Sequence, residues 1–298
     1  MTNNDQNTGW TLLGVPPTVD PANSWLQNKI EVYVESYRAR FEWPPEYPRR
    51  FNVADENMPW DVDYPEYAPV YYVAPVVLEN DCTQKVGGWA DPEDISQVEA
   101  LPSESFEGPI LLDAEGRPLN PRGRSGLAGR GLLGKWGPNY AADPIITRVN
   151  QRFGDVEMLA IQRKDNGQWA IPGGMVDKGE AVSATLSREL KEEAGVELDF
   201  AEAQLVYQGF VDDRRTTDNA WIESTVKHLH LVGEQAEKLE PEAGSDALSV
   251  TWLPLTERSL QKLYASHGYF VVSALGMLYK RQPDALPAKF IQILAAYF

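Results

Sequence analysis

With 298 residues the chain is long enough for two domains, and 43% hydrophobic residues, including nine Trp and thirteen Tyr, exclude a disordered polymer. The net charge of −17 argues against a nucleic-acid binder, because phosphate backbones select basic surfaces. One cysteine, Cys82, excludes an intrachain disulfide and fits a reducing compartment, cytoplasmic in the first instance with a mitochondrial one left open.

Residues 1–50 read as a polar, Pro-containing extension or linker with one short helix near Trp25–Arg40. The opening MTNNDQNTGW has neither the blocks of a signal peptide nor the Arg-rich character of a transit peptide. Residues 51–140 are expected to form a small N-terminal domain, irregular and β-containing, because Pro, Tyr and short apolar runs such as 69–78 dominate its first part. Its last part, Asn120–Tyr140, is the one basic island: Arg122, Arg124, Arg130 and Lys135 among glycines with no acid. The run is too short and aromatic-poor to serve as a single-strand nucleic-acid platform.

Residues 141–298 change rhythm. Strands are expected at Ile145–Val149, Val156–Arg163, Leu205–Val211, Ser224–Val232 and Leu248–Leu253, with Trp169–Ile171 leading into a glycine turn. Helices are expected at about Ala181–Ala194, Thr256–Tyr264, Tyr269–Lys280 and Ala288–Ala296. The longest apolar stretch, Tyr269–Tyr279, is too short to span a bilayer, so no direct membrane segment is expected. Strands and helices mixed in this way imply an α+β chain layered α/β/α around one sheet. His228 and His230 are expected on one strand, one facing in and one out, without a catalytic role.

The stretch GMVDKGEAVSATLSRELKEEAGV (174–196) carries the chemistry. Glu180 follows Gly174 after five residues, and Arg188-Glu189 follow after seven more, then Leu190, Glu192, Glu193, Gly195 and Val196. On a helix, Glu189, Glu192 and Glu193 stand three and four positions apart on one face, beside an apolar stripe of Leu186, Leu190 and Ala194. Like charges so placed repel by roughly 0.2–0.5 kcal/mol per pair, and a hard divalent cation turns that repulsion into attraction. Oxygen-only ligands favour Mg²⁺, with Mn²⁺ as substitute. A solvated acidic helix is the plainer reading of such a charge run. Arg188 reads as an orienting partner with Glu180 as its acceptor, and Gly173-Gly174 as a tight turn whose carbonyls can approach a metal or a phosphate. Gly174 therefore joins Glu189, Glu192 and Glu193 in the candidate metal set.

Every fixed position of this stretch resembles the Nudix box, which implies a Nudix α/β/α sandwich with a mixed sheet and hydrolysis of a nucleoside diphosphate linked to another group. The runs GRSGLAGRGLLGKWGPNYAADPIITR (123–148), QRKDNGQWAIPGGMVDKGE (162–180), VDDRRTTDNAW (211–221) and LYASH (263–267) are similar to the eukaryotic ADP-ribose pyrophosphatases of that superfamily, and to the homologous domain of melastatin-type, ADP-ribose-gated cation channels. The likeness covers about Phe51 to His267. It implies ADP-ribose as substrate, held between the N-terminal domain and the core, with AMP and ribose 5-phosphate as products. It also implies substrate-binding roles for Asp213, Arg215, Tyr264, His267, Arg163 and Gly174. Arg214 stands where the family usually has a proline, and Tyr264 reads equally as core and His267 as a capped surface histidine. The channel branch often has a degraded box that binds without cleaving; here Arg188, Glu189, Glu192 and Glu193 are all present, which points to turnover. The catalytic base stays open among Glu192, the loop acids Glu242 and Asp246, and Glu223. A free-standing enzyme and the cytosolic domain of a channel, partnered by the rest of that channel, also both stay open.

Overall fold

The computed structural model describes residues 37–177, 179–244 and 247–297. The helix expected near Trp25–Arg40 therefore lies outside the described residues except for a 3-10 turn at Arg38–Arg40, and Asp246 lies outside them entirely.

The N-terminal part begins with strand β1 (Val70–Val73) and the single-turn helix α1 (Pro75–Leu78), whose Pro75 fits a first turn where an amide donor is not needed. Strands β2 (Glu104–Ser105) with β3 (Gly108–Pro109), and β4 (Leu111–Leu112) with β5 (Pro118–Leu119), make minimal antiparallel ladders. Strand β6 (Leu127–Gly131) returns to pair in parallel with β1. Ladders this short are marginal in isolation, and two buried arginines of the Gly/Arg segment tie together the irregular segments around them. Arg124, buried, donates to the carbonyls of Asn57, Pro59 and Val62 and lies over the rings of Trp60, Tyr64 and Tyr67. Arg130, with no exposed surface, donates to Asp91 O, Gly134 O and Glu93, and stacks on Trp136. Two of the island's four cations are thus internal braces, while Arg122 and Lys135 stay partly exposed.

The core follows: β7 (Gly137–Asn150), β8 (Asp155–Arg163), β9 (Trp169–Ala170), β10 (Gly174–Met175), helix α2 (Val182–Ala194), β11 (Gln204–Val211), β12 (Ala220–Leu231), α3 (Gly233–Lys238), β13 (Ala247–Pro254), α4 (Glu257–Gln261), α5 (His267–Arg281) and α6 (Ala288–Ala295). The sheet runs β11-β12-β7-β8-β13, with β10 attached to β7 and β9 to β8. The β12–β7 pair is parallel and the other pairs are antiparallel, so the sheet is mixed. Helices cover both faces. The period-two alternation of β7 sends Ile145 into the cluster with Phe270, Val271 and Leu275 of α5, and Ile146 into the cluster with Leu186, Leu190 and Ala194 of α2. Double coverage also explains why β12 is buried without a break from Ala220 to Val226.

Helix α2 is held by its apolar stripe: Leu186, Leu190 and Ala194 are fully buried against Ala142, Ile146 and Leu159. Each leucine so buried contributes roughly 1.5–3 kcal/mol, and Leu190→Ala would cost about 2–5 kcal/mol. Gly195 ends the helix in the left-handed conformation, φ 66°, as expected for such a cap. His228 and His230, expected on opposite faces, share one, because residues two apart on a strand point the same way. Both reach Thr147 Oγ1, at 2.7 and 2.8 Å. Burial lowers the pair to about 3 and about 4, so both rings are neutral. Among the described residues no helix is long and apolar enough to cross a membrane.

Candidate functional site

With its apolar stripe anchored to the sheet, α2 turns Glu189 and Glu193 toward the Gly173–Gly174 turn. Strand β10 pins that turn by pairing Gly174 with Ala142 of β7. Gly173 N donates to Glu193 Oε2 at 2.9 Å. The two glycines of the turn stand against carboxylates. At Gly174 a β-carbon would stand within 2.6 Å of Oε1, Cδ and Oε2 of Glu189. At Gly173, φ 151°, it would overlap Asp143 Oδ1 and stand 2.7 Å from Ala142 O. Asp143 is thus a further carboxylate of the cluster. It is buried on β7 and accepts a short hydrogen bond from the Ser224 hydroxyl of β12. A lone Asp before a proline in an apolar strand gives no motif signal, and the sequence reading passed over it.

Electrostatics show these acids acting on one another. Burial pushes Glu193 up to about 7; the Gly173 amide pulls it back, while the charges of Glu189 and Asp143 add to the rise. Burial likewise pushes Asp143 up to about 6, opposed by the Ser224 hydroxyl and reinforced by Glu189. Glu189 is raised by burial against the pull of Arg188. Arg188 is the brace expected from its spacing. It grips Glu180 with two bonds of 2.9 Å and also reaches Glu189 Oε1 at 2.7 Å, Met175 O at 3.1 Å and Glu192 Oε2 at 3.2 Å. These bonds hold Glu180 down at about 2. Glu192 stays at the exposed rim, its side chain 46% accessible.

Among the described residues no three of these acids already surround one point in ligating geometry, since each is engaged by an internal donor. The donor set nevertheless fits a hard divalent cation. It offers only oxygens, its carboxylates raise one another's proton affinity, and the glycine turn lets the Glu189 and Asp143 carboxylates come as close to the backbone as a β-carbon would stand.

The other candidates form a second group. Asp213 is buried and takes Arg215 Nε and a terminal nitrogen at 2.9 Å each, the Arg215 amide at 2.8 Å and the Tyr264 hydroxyl at 2.9 Å. Burial would raise its carboxyl, but the Arg215 guanidinium and these bonds outweigh burial and hold it well below the usual range. Arg163 lies 4.0 Å over the Tyr264 ring and pairs with Asp165, which also meets Arg214. His267 is not a surface histidine. It is buried edge-on to Tyr264, and its Nδ1 accepts the Ile171 amide at 2.9 Å, so the remaining proton sits on Nε2. Burial and Arg163 lower it to about 3. Tyr264 and His267 therefore link the Asp213 loop to the strand that leads into the glycine turn. A small concavity beside them is lined by Glu42, Asn166, Gln168, Asp212, Arg214, Tyr264 and Ala265.

Two candidate bases stand apart. Glu242 is exposed, and its amide caps Ala194 O at the end of α2. Glu223 is buried and accepts from Trp221 Nε1 and the Phe106 amide, both at 2.7 Å, which ties β12 to the N-terminal part.

Comparison with known proteins now has a site to explain. Residues 140–273 match the NUDIX domain, and residues 53–137 match the family described as NUDT9-like, N-terminal domain. The first range contains the whole carboxylate cluster, and the class is that of enzymes hydrolysing nucleotide derivatives. Putative nudix hydrolase 6 of Caenorhabditis elegans is 43% identical over 247 residues, which is 74% of this chain and 88% of that protein. The mitochondrial ADP-ribose pyrophosphatase of Rattus norvegicus is 41% identical over 261 residues, 74% of this chain and 72% of that one. Transient receptor potential cation channel subfamily M member-like 2 of Nematostella vectensis is 38% identical over 279 residues, 80% of this chain but 17% of the channel. The chain belongs to the Nudix hydrolase family.

Proposed function

We propose that this chain hydrolyses the pyrophosphate of ADP-ribose to AMP and ribose 5-phosphate in the presence of Mg²⁺. The observation that carries the reading is the coupling of two groups through one short segment: the carboxylate cluster at Gly173–Gly174 and the Asp213–Arg215 loop, joined by Tyr264 and His267. The 41% identity to an ADP-ribose pyrophosphatase supports the choice of substrate. Glu189 and Glu193, with Asp143 beside them, Glu192 at the rim and the Gly174 carbonyl, would hold the cation. When bound, Mg²⁺ supplies charge neutralisation at the phosphate oxygens and a water acidic enough to attack near neutral pH.

This chain's own residues do the rest. Arg188 orients Glu189 and anchors the helix to Glu180. Arg163 and Arg215 supply positive charge in an otherwise acidic protein, and Tyr264 fixes Asp213 so that Arg215 presents one geometry. A water oxygen adds to one phosphorus as the bridging P–O bond breaks; its proton passes to a carboxylate, with Glu192 at the rim of the cluster as the candidate the geometry leaves nearest, and two monophosphates leave. The test compares AMP release from ADP-ribose, NAD⁺ and dATP with Mg²⁺ present. Equal rates or a preference for the triphosphate would remove ADP-ribose from the reading, and tight binding without release would mark a sensor domain instead. Glu193→Gln should abolish release; nearly normal turnover in that variant would overturn the cluster assignment.

A further inference from the structure

The loop carrying Asp213 and Arg215 joins β11 to β12, and its backbone is held by residues far away in sequence. Arg50 is buried, and its guanidinium donates to three main-chain carbonyls: Thr216 O at 2.7 Å, and Arg214 O and Ser125 O at 3.2 Å each. Tyr47 OH donates to the carbonyl between the first two, Arg215 O, at 2.8 Å, and accepts the Leu132 amide at 2.8 Å. Three consecutive carbonyls, 214, 215 and 216, are thus all taken from one direction. Arg50 also lies against the Tyr47 ring, 5.5 Å from its centroid. Its hydrogen bonds among the described residues all go to carbonyl oxygens, and its Nε is buried without a partner.

A buried cation without a hydrogen-bonded carboxylate is a poor way to stabilise a fold, because desolvation is only partly offset by carbonyl dipoles. Simple packing would be served by an apolar side chain of the same volume. A planar fork does something such a side chain cannot, since it fixes the spacing and direction of the carbonyls it grips. Those carbonyls belong to the same stretch as the Arg215 amide and guanidinium that bind Asp213. Residues 47–50 fall before both matched ranges, 53–137 and 140–273, so neither family match accounts for them.

We infer that Tyr47 and Arg50 are positioning residues that set the backbone of the 213–216 loop, so that the stretch ahead of the N-terminal domain completes the ADP-ribose site. The inference rests on the substrate reading of Asp213 and Arg215 given above. It is tested in the full chain with Arg50→Lys, which keeps charge but cannot span the carbonyls, and Tyr47→Phe, beside Asp213→Asn as reference. Each of the two clamp variants should raise KM for ADP-ribose by about tenfold, the scale of one buried hydrogen bond lost, and change kcat by less than about twofold. Amide hydrogen exchange should quicken in residues 213–217 without a general loss of protection. If Asp213→Asn raises KM and the clamp variants do not, the clamp is refuted and the substrate reading stands. If Asp213→Asn leaves KM unchanged, the substrate reading falls and takes the clamp with it. Lower thermal stability with unchanged KM and unchanged loop exchange would reduce Tyr47 and Arg50 to ordinary packing.

Discussion

Removing the charge of Glu193 should stabilise the protein in the absence of metal while destroying its activity. Burial and neighbouring acids raise this carboxyl from 4.5 to about 7 in the folded chain. Below pH 4.5 both folded and unfolded states carry the proton, and nothing is lost. Between pH 4.5 and 7 the unfolded chain ionises while the folded one retains its proton, so stability falls as pH rises. Above pH 7 the full penalty of about 2.5 units applies, at 1.36 kcal/mol per unit about 3 kcal/mol. Glutamine stands in for the neutral acid, and its carbonyl can still accept the Gly173 amide. Urea unfolding in EDTA should therefore show Glu193→Gln more stable than the natural chain by about 3 kcal/mol at pH 8 and equal to it near pH 4.5. Subtracting one protein from the other at each pH cancels the neutral histidines, whose lowered values work in the opposite sense as pH falls below 6.5. Added Mg²⁺ should then reverse the order at pH 8, because only the natural carboxylate gains from the cation. A variant that is less stable than the natural chain at pH 8 without metal, or that gains equally from Mg²⁺, refutes the reasoning.

Other perturbations separate space from strain. Gly174→Ala displaces only the end of the Glu189 side chain, so stability should hold within about 1 kcal/mol while Mn²⁺ affinity, read by paramagnetic resonance, falls about 10–100-fold. Gly173→Ala meets the Ala142 carbonyl at a positive φ and should instead cost about 1–3 kcal/mol in urea. Arg188→Met should lower kcat about 10–100-fold at saturating Mg²⁺, and Arg188→Lys should recover little, since an ammonium cannot grip Glu180 with two parallel bonds; full recovery by Lys would show that charge alone suffices. Tyr264→Phe leaves a buried Asp213 oxygen short of one donor and should cost about 1–2 kcal/mol of stability together with a raised KM.

The core elements could be read from the chain because each carries a long, uninterrupted pattern. Helix α2 has its apolar stripe and terminal glycine, and the expected strands at 156–163, 205–211 and 248–253 match β8, β11 and β13 to within a residue or so. What escaped reading depends on three-dimensional proximity. Asp143 belongs to the acid cluster only because β10 folds Gly173 onto β7. Composition marks Arg124 and Arg130 only as part of a basic island, and the carbonyls and aromatic rings that enclose them come from segments distant in sequence. His228 and His230, two apart on β12, meet at Thr147 of the neighbouring strand, a contact no local pattern in the chain encodes.

The enclosure of Arg50, Arg124 and Arg130 has an outward effect. Buried on internal carbonyls, these three still count in the net charge of −17 but offer no open guanidinium at the surface, so an approaching phosphate compound meets a predominantly negative exterior. Capture should then quicken as ionic strength rises from low values and shortens the Debye length, the reverse of the usual behaviour of enzymes that draw in anions. The arginines that hold this chain together leave its substrate to make the last approach uphill.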